Sequence, residues 1–255
     1  MIKLTTTISC LDIGNTISHM GVYVNGKLIT EENIPTANLI NNPFKFSEFS
    51  SLRNKDLSYC SVVPEAEKSL IKYSNSNNVK LYNVNFKSND QFPINYPNPE
   101  QIGQDRIANS IAVYYSVKLP CVVVDIGTAT TFDVISKSGG YEGGLITPGP
   151  QGFLDFLAEN TALLPEVNIN DEEPKSIIGK DTKEAMLMGA LIGYSSMVDG
   201  IIKTLINEVL ELFGHKPTII KTGGACKNFE LKESIHQQDL TIYGLALAFQ
   251  LNKTK

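Results

Sequence analysis

The chain has 255 residues, 42% of them hydrophobic, enough core material for one large domain or two of ordinary size. A formal net charge of −5 argues against a general binder of nucleic acid or of anionic membranes, although backbone amides and helix N-termini can still hold a small phosphate. Four scattered cysteines without a CxxC pair, and three histidines without metal-ligand spacing, support neither a zinc site nor a disulfide framework, so buried thiols in a reducing compartment are expected. The N-terminal MIKLTTTISCLDIG is too short in apolar length for a signal segment. No stretch reads as the roughly 18 apolar residues of a membrane span, and a cytoplasmic protein is expected.

In chain order, roughly residues 2–13 read as a strand and HMGVYV (19–24) as a second. Asn25-Gly26 and KLIT (27–30) complete a hairpin, because both turn residues tolerate positive φ. Residues 33–56 show little periodicity and read as loop. LSYCSVVP (57–64) is expected as a buried strand stopped by Pro64, PEAEKSLIKY (64–73) as a short helix, SNSNN as a turn and VKLYNVNF (79–86) as a strand. A proline-broken loop, QFPINYPNPE, leads into EQIGQDRIANSIAVYYSV, where Ile107, Ala108, Ile111, Ala112 and Tyr115 share one helical stripe. CVVVDI (121–126) carries the β-branched run of a strand buried on both faces; FDVIS returns, Ser138-Gly139-Gly140 turns and YEGGLIT follows. GFLDFLAENTALLPEV reads as a helix running into loop. Thr182–Phe213 reads as a long helical stretch with Gly189, Gly193 and Gly200 as candidate interruptions. PTIIKTGGAC then forms a strand and glycine turn, and LTIYGLALAFQL the last helix, giving an α/β order overall.

Two of these passages are alike. Aligning Asp12 with Asp125 also aligns Gly14 with Gly127 and Asn25-Gly26 with Ser138-Gly139, a repeat of about 30 residues at a spacing of 113, which fits two related halves better than a solenoid. Each half sets an acid at a strand end, then a glycine that lets a backbone approach a ligand, then small polar residues: Asn15 and Thr16 in one, Thr128, Thr130 and Thr131 in the other. Such a turn suits nucleotide phosphates with a divalent cation, although either acid read alone could merely cap its turn. No P-loop or GxGxxG fingerprint occurs. GQDR (103–106) places an acid beside a base near a helix start, an arrangement that dipole-favoured surface charge also produces. Phosphate turns lacking a lysine, however, need an acceptor and a base from elsewhere.

DIGNT (12–16), CSVVP (60–64), Tyr96, GQDR, DIGTATTFD (125–133), EGGLITPG (142–149), NTALLP (160–165), DTKEAMLMG (181–189) and TGGA (222–225) together resemble type III pantothenate kinase, in order and nearly end to end. The resemblance implies two duplicated actin/RNase H-like α/β domains with a nucleotide cleft between them, placed at 1–117 and 118–255. It implies transfer of the ATP γ-phosphoryl group to pantothenate, the first step of coenzyme A synthesis, with Mg2+ and a monovalent cation, K+ or NH4+. By the same resemblance Asp12, Ile13, Gly14, Asn15, Thr16, Ile17, Ser18 and His19 form the first phosphate loop and Thr128 contacts ATP in the second. Asp125 holds the monovalent cation. Tyr96, Gly103, Gln104, Asp105, Arg106 and Thr182 bind pantothenate, with Asp105 as proton acceptor. A homodimer is implied, without nucleic-acid or membrane partners. The competing reading is a non-catalytic relative acting as a transcription-accessory protein, whose mark would be loss of Asp12, Asp105 or Asp125; all three are present. An actin-like filament or chaperone ATPase conflicts with the short chain and the helix-borne GQDR.

Overall fold

A computed structural model describes residues 4–5, 7–41, 55–172 and 174–253. The chain packs as two compact units, one of Met1–Leu119, Ile135–Gly143 and Asp239–Lys255, the other of Pro120–Val134 and Gly144–Gln238. The anticipated cut at 117/118 lies two residues from the first of these edges, while residues 135–143 and the C-terminal helix belong to the first unit.

The first unit is built on a five-stranded sheet. β1 (Ile8–Ile13) pairs antiparallel with β2 (Ile17–Val24), which pairs antiparallel with β3 (Lys27–Pro35). On its other side β1 pairs parallel with β4 (Asp56–Ser61), and β4 pairs parallel with β5 (Lys80–Asn83). Asn25 and Gly26 both take positive φ, 49° and 81°, as the tight hairpin requires. β3 runs well past KLIT and is followed by α1 (Thr36–Asn41), so the front of the expected 33–56 loop is ordered structure; residues 42–54 lie outside the described residues. α2 (Pro64–Asn77) absorbs most of the SNSNN turn and ends on Asn78 in the left-handed conformation.

α3 (Gln104–Ser116) buries Ile107, Ala108, Ile111 and Ala112 completely or nearly so, while Tyr115, the fifth residue of the stripe read from the sequence, is half-buried. It packs on α6 (Leu240–Lys253), where a Cβ on Gly244 would overlap the carbonyl of Ala108. α6 also bears on β4, whose Ser58 hydroxyl donates to the Leu245 carbonyl at 2.9 Å. Helix α3, and with it GQDR, is therefore seated firmly against this unit's core.

The second sheet repeats the first. Its order is β10-β9-β6-β7-β8, against β3-β2-β1-β4-β5, so β6 (Cys121–Ile126), β7 (Ala129–Ser136) and β8 (Gly140–Pro148) stand for β1, β2 and β3. β9 (Thr218–Thr222) and the short β10 (Ser234–His236), which the sequence did not reveal, stand for β4 and β5. β1 and β6 share one burial pattern, with only the aspartate incompletely buried. The two turns differ by a residue: 14–16 join β1 to β2, but only 127–128 join β6 to β7.

α4 (Pro150–Asn160) is followed by α5 (Thr182–Phe213), which is continuous across Gly189, Gly193 and Gly200. Contrary to the sequence expectation, α5 is long and apolar enough to cross a membrane by length and composition. Its buried Tyr194, Val198, Ile202, Leu205 and Val209 form one stripe in the core of the second unit, and 33% of its most apolar window is buried. All four cysteines are buried and unpaired, as expected.

Candidate functional site

At the first strand tip Asp12 is half-buried, while Asn15, Thr16 and Ile17 are exposed. The turn is tight: a Cβ on Gly14 would come within 2.8 Å of the Ile17 carbonyl. Thr36, at the start of α1, fastens it. Its hydroxyl donates to the Gly14 carbonyl at 2.7 Å and lies 2.9 Å from the Ser18 hydroxyl, and its N–H donates to the Thr16 carbonyl at 2.9 Å. Asp12, Asn15 and Thr16 offer oxygens of the hard kind that a phosphate-bound divalent cation prefers. His19 stands directly across from Asp12 on β2. Its Nε2 lies 3.8 Å from a Glu31 oxygen, and His19, Glu31 and Asp239 present ligand atoms within 4.8 Å of one another. Burial holds the His19 pKa below the ordinary histidine value, against the upward pull of Asp239 and Glu31.

The GQDR cluster lies in the same unit. Gly103 precedes the first turn of α3, and a Cβ there would stand 2.5 Å from Oδ1 of Asp105, so only glycine leaves room for that carboxylate. Asp105 accepts from the Arg106 N–H at 2.8 Å. Burial nevertheless raises its carboxyl above the usual range, outweighing the Arg106 backbone bond and charge. The Arg106 guanidinium lies over the ring of Tyr141, 5.8 Å from its centroid, and the same ring meets Tyr96 edge-on at 5.8 Å. Gly143 leaves the Tyr96 ring room at 3.6 Å. Tyr141 thus joins two of the predicted substrate residues, Tyr96 and Arg106, that lie ten positions apart. Thr182 belongs to the second unit, exposed at the start of α5 beside its capping residue Asp181.

At the second strand tip Asp125 is half-buried and Thr128 exposed. Two glycines from distant segments press on this tip. A Cβ on Gly149 would overlap the Gly127 carbonyl, and the Gly149 N–H donates to the Thr128 carbonyl at 2.9 Å. A Cβ on Gly223, whose φ is +96°, would run into Oδ1 of Asp125 and the Ile126 backbone. The Ala225 N–H fixes this TGGA turn to the Ile126 carbonyl at 3.0 Å.

The family model described as type III pantothenate kinase matches residues 8–204. A type III pantothenate kinase of Methylacidiphilum infernorum is 36% identical over 242 residues, covering 93% of this chain and 86% of its own. This chain belongs to the type III pantothenate kinase family. Among solved structures, a Baf family protein of Campylobacter jejuni, described as a transcriptional activator, matches with a TM-score of 0.60 at 22% identity, over 97% of this chain and all of its own. Lmo2764 of Listeria monocytogenes, described as a candidate N-acetylmannosamine kinase, matches with a TM-score of 0.50 at 12% identity, over 97% of this chain and 100% of its own. These two likenesses bear on fold alone, and with the repeated sheet order they make the chain a pair of duplicated actin/RNase H-like domains.

A type III pantothenate kinase works on ATP with a divalent metal, and the transcription-accessory reading is not favoured. Several residues that shape the candidate site are not marked in the sequence. Thr36 fell in a segment without periodicity, and Tyr141 looked like any strand residue. Gly223 was visible in a glycine turn and Gly149 within EGGLITPG, but not as the residues that make room for Asp125 and Thr128.

Proposed function

We propose that this kinase transfers the γ-phosphoryl group of ATP to the primary hydroxyl of pantothenate, opening coenzyme A synthesis. The observation that carries the reading is Asp105: a desolvated carboxyl with raised pKa, housed over Gly103 and next to Arg106 and its Tyr141–Tyr96 wall. As the hydroxyl oxygen bonds to phosphorus and the bond to the leaving ADP breaks, Asp105 takes the hydroxyl proton. Arg106 is a bidentate partner for the pantothenate carboxylate. Tyr96, Gly103, Gln104 and Thr182 complete the substrate contacts, while residues 12–19 and Thr128 supply the phosphate contacts. A bound Mg2+ neutralises phosphate charge, and Asp12 with Asn15 and Thr16 has the oxygens to hold it. The deciding experiment is an ADP-coupled assay of the purified chain with pantothenate against a panel of other alcohols. Selective turnover of pantothenate is expected, and a clear preference for another acceptor overturns the reading.

Asp125 is assigned to a monovalent cation, which fits its half-buried carboxylate. Activity should then require K+ or NH4+, with Asp125→Asn removing that dependence. Full rate in sodium alone would overturn the assignment.

A homodimer in the cytoplasm completes the reading. Its support is the apolar surface of the second unit, with Phe156, Leu163, Ile177 and Ile178 between 64% and 91% exposed. Beside it lies a cavity of about 510 Å³ lined by Phe153, Phe156, Leu157 and Met186. Light scattering should give twice the 28.0 kDa of one chain, falling to one chain in Phe156→Asp. A wild-type monomer at micromolar concentration would contradict the dimer.

A further inference from the structure

We propose that Cys60 is a positioning residue for phosphoryl transfer: its thiol holds the Asp12 carboxylate, and the strand end that carries it also fixes the helix of Asp105. The proposal rests on the kinase reading above. Cys60 is fully buried at the end of β4, in register with Asp12 on β1, and its Sγ–H donates to Asp12 Oδ1 at 3.2 Å. The next residue, Ser61, donates its N–H to Gln104 Oε1 at 2.9 Å, and Asn83 Nδ2 donates to the same oxygen at 2.9 Å. Gln104 is the first residue of α3, so two donors fasten the start of that helix to β4 and β5 one residue before Asp105. One strand end thereby serves as a mount for both the acid of the first phosphate loop and the base.

The chemistry of the thiol suits this place. Cys60 is wholly buried, and its thiol offers Asp12 Oδ1 a neutral donor at 3.2 Å. The contact is not a by-product of the duplicated fold. In the second sheet the matching residue is Thr222, in register with Asp125, and its hydroxyl donates instead to the Gln238 carbonyl at 3.3 Å.

The test compares Cys60→Ala and Cys60→Ser in the full chain. Losing one hydrogen bond to a charged group should lower kcat about tenfold in Cys60→Ala, with KM for pantothenate nearly unchanged; Cys60→Ser restores a donor and should recover most of the rate. A structural readout independent of turnover is the infrared S–H stretch, isolated as wild type minus Cys60→Ser. It should lie at the low frequency of a bonded thiol and move in Asp12→Asn. Full kcat in Cys60→Ala, equal losses in both variants, or an S–H band indifferent to Asp12→Asn would each overturn the proposal. The infrared comparison stands even if Cys60→Ala folds poorly. Failure of the wild type to phosphorylate pantothenate would instead strike the functional reading, while the S–H band still judges the contact.

Discussion

Asp105→Asn is expected to lower kcat at least ~10²-fold, the usual loss when a general base is removed, while leaving the protein folded. The amide keeps the shape of the side chain over Gly103 and can still accept from the Arg106 N–H, so the start of α3 should survive. Stability should move the other way from activity. Because burial raises the Asp105 pKa in the folded state, its contribution to stability is fully present below the unfolded carboxylate value of about 3.9. That contribution is lost as pH rises through the higher folded value. At neutral pH the wild type therefore bears the cost of a desolvated charge that asparagine lacks, and the variant's Tm should equal or exceed the wild-type Tm. The acid limb of kcat/KM should likewise lie above the ordinary carboxylate range, since only the deprotonated form accepts a proton. Near-normal turnover in a folded Asp105→Asn protein would remove Asp105 from the role of base.

The central strands were legible because burial on both faces leaves an unmistakable record. CVVVDI is the run of a doubly covered strand, ISCLDI shares its burial pattern, and the repeated acid, glycine and turn positions announced the duplication. β3 was legible only at its start. It is the edge strand of its sheet, and its alternating exposed and half-buried residues, with Glu31, Glu32 and Asn33 among them, resemble loop by composition. The glycines of α5 misled in the opposite sense. Gly189, Gly193 and Gly200 each forgo about 1 kcal/mol of helix propensity, but a buried stripe from Tyr194 to Val209 carries the helix through them.

The site divides in the same way. Gly103 to Arg106 are contiguous, and their chemistry could be read as a unit. Thr36 and Tyr141 matter only through partners that folding brings to them, Gly14 and Ser18 for one, Arg106 and Tyr96 for the other. Nothing in their local sequence marks them, because each is ordinary for the element it occupies.

Gly223→Ala should damage the second half of the site as severely as Asp105→Asn damages the first. Two causes act together. The residue sits at φ +96°, where a side chain costs on the order of 1–3 kcal/mol, and the added Cβ would run into Oδ1 of Asp125 and the backbone of Ile126. The turn cannot yield easily, because the Ala225 N–H is bonded to the Ile126 carbonyl and Asp125 is paired in register with Thr222. The carboxylate must therefore move, and a displacement of about 1 Å at a reacting site can cost on the order of 10²-fold in rate. Steady-state assays should show turnover falling on that scale, with the response to K+ or NH4+ weakened, alongside a modest fall in Tm. Gly224→Ala is the matched control: a Cβ there meets nothing within 4 Å, and its rate and cation response should stay close to wild type. Equal losses at 223 and 224 would show that the whole turn tolerates no side chain. An unchanged cation response in Gly223→Ala would show that the carboxylate beside it is not the cation's ligand.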